Sequence, residues 1–242
     1  MRILLIFPLL ALLMLTNCQG QKWWNSGIAG TGPRVEKELQ LADFTGIKLT
    51  MSADVYLTQG NTQSVRVSAQ QNMIDLLETQ VENGTWKIKT SEQIGNHSPI
   101  KIYITVPQMN YVSLSGSGDI FTENTFSGND KVTVAVSGSG NLRFKTTARQ
   151  TDVTLSGSGD IDLQGSTEDV AVSISGSGDI DAYNFSAANC QVNISGSGGA
   201  RVSATKDLNV KVSGSGDVYY RGNPSVTSRI SGSGNLTANN GG

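Results

Sequence analysis

Val153-Thr154-Leu155-Ser156-Gly157-Ser158-Gly159-Asp160-Ile161-Asp162 is answered, nineteen residues later, by Val172-Ser173-Ile174-Ser175-Gly176-Ser177-Gly178-Asp179-Ile180-Asp181. The shared core is Ser-Gly-Ser-Gly, and it begins seven times, at Ser115, Ser137, Ser156, Ser175, Ser195, Ser213 and Ser231. The spacings are 22, 19, 19, 20, 18 and 18 residues. A period near twenty with so little drift marks one structural unit repeated in space. A flexible Gly/Ser linker has the same motif residues but no apolar columns between them.

The columns are present here. Immediately before the motif stand Leu114, Val136, Leu155, Ile174, Ile194, Val212 and Ile230, all branched aliphatics. Two residues earlier stand Val112, Val134, Val153, Val172, Val192 and Val210, with Ser228 as the lapse in the last copy. The residues between them are mostly polar, so the pattern is a period-two strand with one buried face. After the motif comes a polar column, Asp119, Asn141, Asp160, Asp179, Gly199, Asp217 and Asn235, and then an apolar one, Ile120 to Leu236. A unit of this size cannot bury its apolar face alone, whereas stacked coils close a continuous core. The expected fold is all-β: a right-handed parallel β-helix or solenoid of about seven coils over residues 111–242, preceded by irregular β structure over 34–110. Seven coils at ~4.8 Å give a rod on the order of 34 Å. Leucine-rich repeats share the period, but their Leu-x-x-Leu-x-Leu frame is absent. The glycines mark either a sharp corner or a narrow waist between two sheets, and the unbroken period-two phase favours the waist.

Within 34–110, Ile47–Thr58, Val65–Ala69, Thr85–Thr90 and Ile100–Val106 alternate as strands, and Asn83-Gly84 reads as a hairpin turn. Asn72–Glu78 is the one helical candidate, with Asn72 as its cap. Residues 1–17 read as a signal peptide: Arg2, then a run from Ile3 to Leu15 too short to span a bilayer. It ends in Leu15-Thr16-Asn17-Cys18, which looks like a bacterial lipobox with an uncommon Asn before the Cys. Acylation of Cys18 would hold the chain to the membrane, since each buried methylene contributes ~0.8 kcal/mol. Residues 18–33, with Trp23 and Trp24, read as a tether to the membrane. The expected location is the cell envelope, on the outer membrane, facing either the periplasm or the exterior. An acidic run of the kind that accompanies surface export in some bacteria does not follow Cys18.

At this point the chain resembles a known family, the bacterial proteins described as putative auto-transporter adhesin, head GIN domain. The resemblance rests on Phe44-Thr45-Gly46-Ile47, Asp54-Val55-Tyr56-Leu57-Thr58-Gln59-Gly60, Asn83-Gly84-Thr85-Trp86-Lys87-Ile88 and the Ser-Gly-Ser-Gly-Asp series, over roughly residues 40–235. It implies a solenoid-like all-β fold, an envelope location and a role in adhesion. It brings no catalytic residues.

A net charge of −2 offers no basic surface for a phosphate backbone, which excludes nucleic acid as the expected partner. With Cys18 acylated, Cys190 has no disulfide partner and reads as a small, partly buried residue. The only histidine, His97, lies in a loop and supports no catalytic set. The one candidate patch is acidic: Asp160, Asp162, Asp179 and Asp181 form a two-by-two group across successive coils. It suits a bound Ca²⁺, a carboxylate pair acting on a glycoside, or a structural ladder, because the column through Asp162 and Asp181 carries Arg143 and Arg201 on either side. Calcium-binding nonapeptide rolls look similar, but their Asp follows a spacer and their period is half as long. The motif serines share the solvent-facing parity, so stacked coils make hydroxyl ladders. These suit a polysaccharide, a surface protein or a homo-oligomeric contact. The expected function is a non-catalytic head for adhesion or envelope interaction; a carbohydrate-binding or carbohydrate-cleaving module and a structural spacer are the alternatives.

Overall fold

The structure, a computed structural model, describes residues 27–239. The chain runs through β1 (Arg34–Leu39), β2 (Gly46–Leu49), β3 (Asp54–Gln59), β4 (Ser64–Gln70), α1 (Gln71–Asp75), β5 (Val81–Glu82), β6 (Thr85–Ile88) and β7 (Lys101–Val106). The repeat follows as β8 (Tyr111–Leu114), β9 (Asp119–Thr122), β10 (Phe126–Val136), β11 (Leu142–Leu155), β12 (Ile161–Ile174), β13 (Ile180–Ile194) and β14 (Ala200–Gly214). It ends in β15 (Val218–Arg221), β16 (Ser225–Gly232) and β17 (Leu236–Ala238).

From β8 onward every strand pairs in parallel with its counterpart in a neighbouring coil, as the columns require. Val112, Val134, Val153, Val172, Val192, Val210 and Ser228 lie in register, and so do the aliphatics just before each motif. The valines of that column are buried from Val112 to Val210. Each such side chain contributes roughly 1.5–3 kcal/mol by leaving water, so regular stacking replaces a large aromatic core. The long strands β12 to β14 carry register irregularities midway, between Asp162 and Gln164 and between Ala182 and Ser186. Phe126, Phe144 and Phe185 are buried, the first two stacked with centroids 5.7 Å apart.

The glycines sit at a corner, which corrects the narrow-waist expectation. A Cβ on Gly138, Gly157 or Gly176 would lie 2.0 Å from the carbonyl oxygen of the equivalent glycine one coil back. The crowding therefore runs along the stack, from coil to coil, and not between two facing sheets.

The N-terminal strands are part of the same stack but enter it out of chain order. β2 pairs in parallel with both β6 and β8, and β3 with both β7 and β9. The β6–β7 layer therefore lies beneath β2–β3, which lies beneath β8–β9. Leu49 is in register with Leu114 and Asp54 with Asp119, so Thr50-Met51-Ser52-Ala53 occupies the place of a Ser-Gly-Ser-Gly corner. Side chains are tolerated there because the connection below, residues 89–100, is a long loop and not a stacked corner. This end is closed by β4, antiparallel to β7, by β1, antiparallel to β4, and by α1. α1 starts after Gln70, not at Asn72. The Asn72 side chain instead accepts from the Thr31 N–H (3.0 Å) and donates to the Ala29 carbonyl (2.8 Å). Residues 27–33, read as part of a tether, are thereby held against the body, with Ile28 N–H donating to Gln93 O at 2.8 Å. Asn83-Gly84 forms the expected hairpin between β5 and β6, with φ of 50° and 70°.

Candidate functional site

The acidic column at the corner has a structural task. A bend interrupts strand pairing and leaves backbone N–H groups to be satisfied. Asp160 Oδ1 accepts the Asp179 N–H at 2.9 Å, and Asp179 Oδ1 accepts the Gly199 N–H at 2.6 Å. Asp119 accepts both the backbone and side-chain N–H of Asn141 (2.7 and 3.1 Å), and Asp217 does the same for Asn235 (2.8 and 3.2 Å). Each carboxylate thus ties its coil to the next.

Asp162 and Asp181 stand in the neighbouring column, which runs Phe121, Arg143, Asp162, Asp181, Arg201, Tyr219 in register. Arg143 Nε donates to Asp162 Oδ2 at 3.0 Å, and Arg201 lies 3.9 Å from Asp181 Oδ2. Asp181 Oδ1 also accepts the Tyr183 N–H at 3.1 Å. The structure does bring the four predicted carboxylates together, beside a cleft of about 300 Å³ that Arg143 and Arg201 also line. The two arginines offset Asp162 and Asp181, while Asp160 and Asp179 accept backbone N–H groups. Among the described residues, no group of three or more His, Cys, Asp or Glu is arranged to hold a metal ion.

Sequence reading missed the lower part of this column, because chain order hides it. Tyr103 and Tyr56 stack at 5.0 Å, and Tyr56 meets Phe121 at 5.7 Å. Arg66 covers Tyr103 at 4.3 Å, and the Arg143 guanidinium lies 5.9 Å from the Phe121 ring. The faces of these three rings are covered by one another and by the two guanidinium groups.

Two grooves run across the coils on the solvent side of the long strands. A groove of about 640 Å³ crosses β12, β13, β14 and β16. Ser173, Asn193, Lys211 and Arg229, one from each coil, line one side, and Ser175, Ser195, Ser213 and Ser231 line the other. A parallel groove of about 400 Å³ carries Asp169, Asn189 and Asp207 beside Gln191 and Asn209. The motif serines from Ser137 onward are exposed, as their parity requires, and Ser137 donates to Ser115 Oγ at 3.2 Å. Cys190 is buried, and burial pushes its thiol up to about 12, which removes it as a nucleophile. His97 Nδ1 lies 2.7 Å from the Ser98 carbonyl, which holds the ring in its loop.

A parallel stack on a Ser-Gly-Ser-Gly-Asp corner, with polar ladders outward, defines the class as a β-solenoid head. The chain belongs to the family described as putative auto-transporter adhesin, head GIN domain, whose sequence profile matches residues 43–224. The fold is shared with a putative adhesin from Bacteroides fragilis at 24% identity and a TM-score of 0.81, covering 88% of this chain and 100% of that one. It is also shared with a putative adhesin from Parabacteroides merdae (17% identity, TM-score 0.76, 88% and 99% covered). A protein from Parabacteroides distasonis described as a putative lipid binding protein has it too (24% identity, TM-score 0.71, 88% and 99% covered). No protein of curated function matches the sequence.

Proposed function

We propose that this protein is a non-catalytic head of the bacterial cell envelope, held to the outer membrane through an acylated Cys18, that binds an extended polar partner along its coils. The partner class is a polysaccharide or an extended segment of a surface protein. Cys18 and the signal peptide lie outside the described residues, so the anchor rests on the sequence alone. The observation that carries the binding reading is the larger groove. It repeats the same polar positions in four successive coils, at the strand spacing of ~4.8 Å. A repeating ligand can meet such a surface in register over several coils, which adds weak hydrogen bonds into useful affinity.

The Asp160, Asp162, Asp179 and Asp181 group is the weaker candidate for a ligand or Ca²⁺ site. Its carboxylates already accept backbone and arginine donors. The experiment is retention of the mature chain, carrying Cys18→Ser, on immobilised envelope polysaccharide from the host cell. Retention that the free polysaccharide displaces is expected. A chain that passes through unretained, at low salt as well as high, would count against polysaccharide and leave a protein partner to be sought by cross-linking.

A further inference from the structure

Among the described residues, β16 is the last strand on its side of the stack, paired with β14 on one edge and exposed along its whole length. Val226, Ser228 and Ile230 stand in register with the buried Leu208, Val210 and Val212. They hold core positions, yet Val226 is 39% and Ile230 38% exposed. The backbone at these positions also reaches outward. In earlier coils the carbonyl just before the motif accepts from the next coil: Ser156 N–H donates to Val136 O (2.9 Å), Ser175 N–H to Leu155 O (2.9 Å) and Ser195 N–H to Ile174 O (2.8 Å). Ile230 holds that place in the last coil, and strand alternation gives Ser228 and Val226 the same forward aim. The other end of the rod is closed by β1, β4 and α1, so the two ends differ in kind.

We propose that this open end pairs with the same end of a second copy, β16 antiparallel to β16, about a two-fold axis through Ser228. In that register Val226 faces Ile230 of the second copy, Ile230 faces Val226, and Ser228 faces itself. The three residues whose backbone groups aim forward then meet the same three in the second copy, as an antiparallel hydrogen-bonded set requires. A shift of one residue sets Val226 against a solvent-facing side chain. A shift of two sets one of the pair against Ser228 and the other against Pro224 or Gly232. Charge agrees with the same register: Arg229, the only charged residue of the strand, faces Thr227 and not its own copy. A self-matching patch is what a two-fold contact needs. Exposed edge strands are ordinarily blunted by charge, proline or a bulge, whereas the core side of β16 carries none of these. If the anchor proposed above holds, the two tethers leave from opposite ends of the paired rod, and the contact joins two facing anchors.

The test is sedimentation of the mature chain carrying Cys18→Ser, alone and with Ser228→Lys, Ser228→Cys or Thr227→Cys. A concentration-dependent dimer is expected. Ser228→Lys sets two ammonium groups face to face and weakens it by about tenfold or more. Ser228→Cys forms an intermolecular disulfide on mild oxidation while Thr227→Cys does not, and buried Cys190 stays out of the reaction. Circular dichroism matching the parent shows that each variant is folded. A chain monomeric up to about 1 mM that forms no disulfide at position 228 overturns the proposal, as does a dimer unmoved by Ser228→Lys. Association is read without the anchor and without polysaccharide, so its failure is distinct from failure of the groove reading.

Discussion

At the residue scale, the corner explains why glycine and aspartate recur. A Cβ on Gly178 would lie 1.9 Å from the Gly159 carbonyl oxygen. Gly178→Ala is therefore expected to cost about 3 kcal/mol, read as a lower melting temperature. Asp179→Ala removes the acceptor for the Gly199 N–H and is expected to cost about 1 kcal/mol; Asp179→Asn, which keeps an acceptor oxygen, recovers most of it. Asp130 is held below the usual carboxylate range by its hydrogen bonds to Arg149, at 2.6 and 3.0 Å, and by that cation's charge. A depressed folded-state value means the pairing is complete above the ordinary aspartate range and is lost as pH falls through the lowered value. An NMR titration of the Asp130 carboxyl should show that low midpoint, and Arg149→Ala should return it to the ordinary range.

At the element scale, the repeat and the N-terminal strands were legible, but the place of those strands in the stack was not. Glycine is obligatory only where one corner stacks on another. Met51 and Ala53 sit on a loop, so their corner keeps side chains and loses the sequence signature. Ala53→Gly should accordingly change stability by no more than about 1 kcal/mol. Gly118→Ala, directly above with Ala53 O 2.0 Å from the added Cβ, should be far more damaging. Denaturant unfolding of the two variants side by side measures the contrast. The order in which β6–β7 and β2–β3 enter the stack was hidden for a second reason: chain order carries no record of which layer lies beneath which. The same gap hid Tyr56 and Tyr103 from the column that contains Asp162. The column from Phe121 to Tyr219 was readable because each coil there follows the last in sequence.

At the scale of the whole molecule, the rod is quasi-one-dimensional, and each coil is supported by its neighbours. β12 and β13 have a coil on both sides, while β16 and β17 have one. Amide hydrogen exchange should therefore be slowest in β12 and β13 and fastest in β16 and β17 in dilute monomer. The same geometry supports the groove, over the acidic corner, as the place where the proposed partner would bind. The cleft beside Asp162 and Asp181 is taken up with pairing between coils, whereas the groove through Asn193 and Lys211 presents polar groups outward over four coils. The most direct test compares the affinity of two double variants for envelope polysaccharide. Asn193→Ala with Lys211→Ala should weaken binding about tenfold at an unchanged melting temperature, while Asp162→Asn with Asp181→Asn should bind like the parent. The reverse pattern, binding lost with the aspartates and kept with the groove variant, would contradict the account and move the site to the acidic corner.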